Sequence, residues 1–215
     1  MKRILTALLV CLSLVLTAQD RPFWKEIKSF KTADSLQAPP RKPIIFVGSS
    51  SFKMWKNVSQ DFPGHTIINR GFGGSSLPHV IAYADEIVIP YKPKQVVIYC
   101  GENDFMRDTV TSKLVTERFI HLFGILRKEI PKAEIVYVSM KPSPSRQHLM
   151  GKMAEANGAI RDFLKKKRRT TYVNIWDDML DKNGSPRKEL FLKDMLHMNE
   201  KGYAIWQKAL EPHLK

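Results

Sequence analysis

Five short apolar runs, each closed by glycine or polar residues, alternate with amphipathic segments along this chain. That alternation constrains the fold more than any other feature. The runs cover residues 44–47, 66–68, 95–99, 134–138 and 171–175. They are continuously apolar and rich in β-branched residues, the pattern of strands covered on both faces. Between them, residues 114–128 place Leu114, Phe119, Leu122, Phe123 and Leu126 on one helical face and stop before Pro131. Residues 153–167 and 200–214 read as two further helices. Strands alternating with helices over connections of this length predict an α/β protein: a three-layer α/β/α sandwich on a five-stranded parallel sheet.

The amino terminus has a different logic. Lys2 and Arg3 precede an apolar run over 4–16, which gives way to Thr17, Ala18 and Gln19. This is the layout of a secretory signal peptide, and the run is shorter than the roughly 20 residues of a membrane-spanning helix. The expected division is a signal peptide over 1–18, a lead segment over 19–42 and one domain over 43–215, exported to the periplasm or secreted. The formal charge of +14 invites a nucleic-acid partner or an anionic surface. Export, and the absence of any nucleic-acid-binding motif beyond charge, argue for no nucleic acid. Peripheral attraction to an anionic envelope surface remains, and Lys165, Lys166, Lys167, Arg168 and Arg169 at a helix end read as a solvated helix terminus or, alternatively, as contributors to it. Cys11 and Cys100 are the two cysteines, too few for a disulfide scaffold or a cysteine-based zinc site. Cys100, in an apolar stretch, is expected in the core. His65, His79, His121, His148 and His213 show no metal-ligand spacing, and neither metal nor organic cofactor is expected.

In open α/β sheets, ligands bind at the carboxyl ends of the strands. There the chain carries Gly48-Ser49-Ser50-Ser51, then Asn69-Arg70-Gly71-Phe72-Gly73-Gly74-Ser75, then Gly101-Glu102-Asn103-Asp104. Asp194-Met195-Leu196-His197 precedes the last helix. Each has an ordinary reading: a serine helix cap, a glycine turn, an asparagine turn, an acidic helix lead-in. Together they supply a hydroxyl nucleophile, a base with a carboxylate partner, and hydrogen-bond donors, the set needed for nucleophilic acyl transfer.

These four motifs, in this order over residues 48 to 197, resemble those of the SGNH hydrolases, or GDSL-type esterases/lipases, particularly proteins like the catalytic subunits of platelet-activating factor acetylhydrolase. The resemblance implies a flavodoxin-like SGNH hydrolase fold and a serine esterase without cofactor. Residue by residue, the nucleophile corresponds to Ser50, the family glycine to Gly74, the asparagine to Asn103, and the Asp-x-x-His pair to Asp194 and His197. One position departs: the family aspartate before the nucleophile is Ser49 here, which leaves Ser49 and Ser51 as lesser candidates for the nucleophile. The implied roles are His197 as base and Asp194 as its orienting partner. The N–H groups of Ser50 and Gly74 and the amide of Asn103 would form an oxyanion hole.

Ser49, Phe72 and Arg146 are candidates for the substrate pocket. Phe72 is read as an acyl-pocket wall or a core plug. Arg146, on the proline-bound segment after the fourth strand, is read as an anchor for a substrate carboxylate or phosphate, or as a surface arginine. The expected substrates are small carboxylic esters: acetyl or short acyl esters, sugar O-acetyl groups or lysophospholipids. The alternative is a non-catalytic glycan- or envelope-binding protein on the same fold.

Overall fold

The computed structural model describes residues 21–215; the expected signal peptide lies outside the described residues. A five-stranded parallel sheet has the order β2-β1-β3-β4-β5. Its strands are β1 (Ile44–Gly48), β2 (Ile67–Gly71), β3 (Gln95–Tyr99), β4 (Glu134–Val138) and β5 (Thr170–Val173). The helices are α1 (Trp24–Leu36), α2 (Ser50–Met54), α3 (Val58–Asp61), α4 (Leu77–Ile87), α5 (Ser112–Glu129), α6 (Met150–Leu164) and α7 (Glu200–Leu210).

Alternate side chains of each strand enter different cores. Ile45 and Val47 join Ile98, Ile135 and Tyr137 beneath α1, α4, α5 and α6. Ile44 and Phe46 join Val97, Tyr99 and Val136 beneath α2, α3 and α7. The expected three-layer sandwich is therefore present. The sheet has no solvent face, which is why its strands read as unbroken apolar runs.

The last helix ends at Leu210 and β5 at Val173, short of the 214 and 175 read from the sequence, and three further differences bear on packing. β2 runs on through Asn69-Arg70-Gly71, residues that read as a loop because they are polar. Arg70 is 7% exposed. Its guanidinium pairs with Asp34 at 2.5 Å and Tyr91 Oη at 3.0 Å and lies over the Phe30 ring. The α6 helix begins and ends about three residues earlier than expected, since Lys165 to Arg169 form the turn into β5 rather than helix. The expected lead segment contains α1, whose Ile27 is fully buried against the sheet. Cys100 is buried, and desolvation pushes its thiol pKa well above the ordinary value, as expected for a core residue.

Candidate active site

The strand ends converge where the sequence pattern puts them. β1 ends at Gly48, with φ 146°, where a Cβ would stand 1.8 Å from the carbonyl oxygen of Tyr99. Only glycine permits that approach, and it carries the chain directly into α2. Ser49 occupies the N-cap position and Ser50 the first helical position. The Ser50 N–H is thereby one of the first-turn amides that lack an intrahelical acceptor. Of the three adjacent serines, Ser49 and Ser51 are buried and Ser50 is partly exposed.

The Ser50 hydroxyl lies 2.9 Å from His197 Nε2, and His197 Nδ1 lies 2.6 Å from Asp194 Oδ2. The Asp194–His197 turn is braced from several sides. The N–H groups of Leu196 and His197 donate to Asp194 Oδ1 at 3.0 and 2.9 Å. Ser145 N–H donates to the Met195 carbonyl, and Leu192 N–H to that of His197. Met195 takes the left-handed φ of 55° that the turn requires. Partial desolvation pushes the Asp194 pKa up, but the His197 ring and the two N–H donors outweigh it and bring the value down to about 2. Asp194 is therefore a carboxylate across the neutral range. With Nδ1 committed to it, Nε2 is the ring nitrogen that faces Ser50.

Across from this pair lies the loop after β2. Gly74, at φ 76°, is exposed. Ser75 is buried and holds the loop down, its hydroxyl donating to the Gly48 carbonyl at 3.0 Å. Asn103 Nδ2 donates to the Ser75 carbonyl at 2.9 Å, which couples the third strand end to the glycine loop. Phe72 is fully buried between Phe23 and Tyr83; of its two readings, it is placed as a core plug.

Arg146 is turned inward. Its Nη2 donates to Asn103 Oδ1 at 2.8 Å, and its Nη1 lies 3.1 Å from Glu102 Oε1, an ion pair whose N–H is not aimed at the oxygen. Glu102 Oε2 accepts from Lys141 Nζ at 2.8 Å and Tyr99 Oη at 2.5 Å. Glu102 and Lys141 are 3% and 1% exposed, an environment that charged groups enter only when paired. Burial raises the Glu102 pKa, but Lys141 and Arg146 more than offset it and hold the carboxyl below its ordinary range. Sequence reasoning missed Glu102 and Lys141. Both stand in motifs already noted, beside Asn103 and in the segment holding Arg146, but burial of a charge leaves no mark on the sequence.

The chain matches the model of the GDSL-like lipase/acylhydrolase family over residues 38–205. It belongs to that family. A GDSL-like lipase/acylhydrolase of this fold is a carboxylic ester hydrolase, and solved structures support the assignment of the fold. One is a Streptococcus pneumoniae protein named for platelet activating factor, with TM-score 0.76 and 20% identity, covering 98% of this chain and 99% of that one. Another is a GDSL-like lipase from Bacteroides thetaiotaomicron, with TM-score 0.75 and 21% identity, covering 87% and 96%. A third is a mutant of an acetyl-xylooligosaccharide esterase from Geobacillus stearothermophilus, with TM-score 0.64 and 16% identity, covering 78% and 91%. No curated protein matches the sequence. Among the described residues, no group of three or more His, Cys, Asp or Glu side chains could hold a metal ion, and no helix is long and apolar enough to cross a membrane.

Proposed function

We propose that this GDSL-like hydrolase cleaves small carboxylic esters through a Ser50-linked acyl-enzyme, with acetyl groups on carbohydrate as the preferred class. The observation that carries this reading is the continuous chain from Ser50 Oγ to His197 to Asp194, at 2.9 and 2.6 Å. In the first half-reaction Ser50 Oγ bonds the ester carbonyl carbon while its proton passes to His197 Nε2. The Asp194 carboxylate stabilises the imidazolium and keeps the ring oriented. The C–O bond to the alcohol then breaks, and the leaving oxygen takes the proton from Nε2. Water repeats the sequence on the acyl-serine and releases the acid.

The tetrahedral oxygen would meet the Ser50 N–H, the Gly74 N–H and the second Nδ2 hydrogen of Asn103, the first being held by Ser75. Arg146 bears on this last donor. It pulls on Asn103 Oδ1, which polarises the amide and fixes its rotation, so that the donor is aimed before substrate arrives. In this reading Arg146 is a positioning residue with its charge already matched by Glu102, rather than an anchor for a substrate anion.

The preference for a small acyl group on a sugar has two supports: among the described residues there is no large apolar lid segment, and an acetyl-xylooligosaccharide esterase shares the fold. The test is a panel of nitrophenyl acyl esters and acetylated sugars, with a fluorophosphonate probe and Ser50→Ala as control. Acetate cleaved faster than long-chain esters, with labelling confined to Ser50, supports the reading. A protein left unlabelled favours the non-catalytic glycan- or envelope-binding alternative.

We further propose export, from the residue 1–18 pattern, and loose attachment to an anionic envelope surface. Lys92, Lys94, Lys132, Lys166, Arg168 and Arg169 are exposed near the amino ends of β3, β4 and β5, opposite the site. Arg127 pins this end by donating to the carbonyls of Pro131, Ala133, Arg168 and Arg169. A surface held there would leave the reaction centre facing away. Sedimentation with anionic vesicles that disappears at high salt is the expected result.

A further inference from the structure

The α1 helix and the residues before it lie outside the 38–205 family match, yet they reach the glycine loop. The chain is gripped immediately before α1. Arg21 pairs with Glu86 at 2.8 Å, donates to the Ala82 carbonyl at 3.0 Å and lies over the Tyr83 ring. Tyr83 Oη donates to the Pro22 carbonyl at 2.5 Å. The next residue, Phe23, has φ 66° and ψ 4°, a left-handed conformation that a bulky residue adopts only when its surroundings compel it. The outcome is a directed ring. Phe23 packs edge-on against Phe72 at 5.4 Å and His79 at 4.7 Å between centroids. A Cβ placed on Gly74 would lie 3.9 Å from Phe23 Cε1. The ring is only partly buried. It therefore stands beside the residue whose N–H is the proposed oxyanion donor, in the space a side chain at that position would enter, and is not fully enclosed.

The direction of substrate follows from the proton transfers. The leaving oxygen must face His197 Nε2, because it takes its proton there. His197 lies on the β4 side, where Ser145 holds the Met195 carbonyl. Gly74 follows β2, at the opposite edge of the sheet. With the alcohol departing toward His197, the carbonyl oxygen and the acyl substituent both lead away from His197, so the acyl group leaves beside the oxygen on the Gly74 side of the site. We propose that Phe23 is a specificity-determining residue that closes the acyl end of the site and restricts it to short chains. This rests on the serine-esterase reading. Glu26, one turn further on, pairs with Lys53 of α2, so the same segment also touches the helix that carries Ser50.

The test compares full-length wild type with Phe23→Leu and Phe23→Trp, using nitrophenyl acetate, butyrate and hexanoate, with thermal melting and fluorophosphonate labelling of each protein. Leucine keeps an apolar contact on Phe72 while giving up the reach of the ring. It is expected to raise the hexanoate-to-acetate ratio of kcat/KM by about tenfold, the usual discrimination of a methylene-sized change in an apolar pocket. Tryptophan is expected to lower that ratio. Opposite shifts at unchanged labelling support the proposal. An equal loss on all three esters, with a lowered melting temperature, means that Phe23 only packs the segment and overturns it. Unchanged ratios in both variants overturn it as well. If wild type neither labels nor cleaves any ester, the esterase reading falls and takes this proposal with it; if wild type labels and cleaves while the ratios hold still, only this proposal falls.

Discussion

Two arginine clusters in this molecule are built from the same parts and end in different places. Arg70 meets Asp34 and the Tyr91 hydroxyl; Arg146 meets Glu102, which is also bound by the Tyr99 hydroxyl and Lys141. Each joins a guanidinium, a carboxylate and a phenol in partial or full burial. The Arg70 cluster ends in scaffold: it ties α1 to the edge strand and to the turn after α4. The Arg146 cluster ends in Asn103, whose amide donates one hydrogen to the Ser75 carbonyl of the glycine loop and is the oxyanion donor proposed above. A charge cluster alone therefore says little about function. What matters is the group at its end, and whether that group has a donor left to offer.

The largest expected effect tests whether the Arg146 cluster ends at a reaction centre at all. Ser50→Ala and His197→Ala are each expected to lower kcat by about 10⁴-fold or more, with the melting temperature little changed. Asp194→Ala is expected to cost less than His197→Ala. Next, Arg146→Met should lower kcat about 10²-fold while KM moves little, the signature of a donor lost in the transition state. Arg146→Lys should fail to restore it, because one ammonium cannot serve Asn103 and Glu102 together. A loss confined to KM would instead return Arg146 to the role of substrate anchor.

Arg70→Leu should show the reverse pattern. Cutting a partly exposed pair is expected to cost about 2 kcal/mol, or roughly 4–8 °C in melting temperature for a chain of this size. Acetate turnover should stay within about threefold of wild type, since no part of the cluster reaches the site. The smallest effect belongs to pH. Asp194 titrates lower in the folded than in the unfolded chain, so its contribution to stability is complete above the ordinary value of 3.8 and is lost as pH falls through about 2. The stability difference between wild type and Asp194→Asn should shrink as pH falls below about 4 and be lost below about pH 2 in denaturant titrations.

Much of this was legible in the chain. Strands β1, β3 and β4 announce themselves because both faces of the sheet are covered, and three of the four motifs fall at strand ends because parallel topology collects those ends. The turn of Asp194 to His197 needed no tertiary information beyond its spacing. The misses have a common cause. The tail of β2 reads as loop because Arg70 is polar, and its burial depends on Asp34 and Tyr91, 36 and 21 residues away. Helix α1 did leave a signal: Trp24, Ile27, Phe30 and Ala33 recur every three residues. It was masked by the prolines that follow and by the lysines between. The pairing of Glu102 with Lys141 leaves none, since 39 residues separate them and each alone reads as a surface charge.

The separation of Ser50 from His197 has a consequence in time. The two residues stand 147 positions apart, and His197 lies just ahead of α7, which docks through Trp206, Tyr203 and Leu210. A piece of the chain that stops before residue 197 holds Ser50 without its proposed base. Because such long-range contacts form late and at high entropic cost, a chain that has not yet docked its carboxyl-terminal helix is expected to show no esterase activity. On refolding, recovered turnover should track the burial of Trp206 and never precede it.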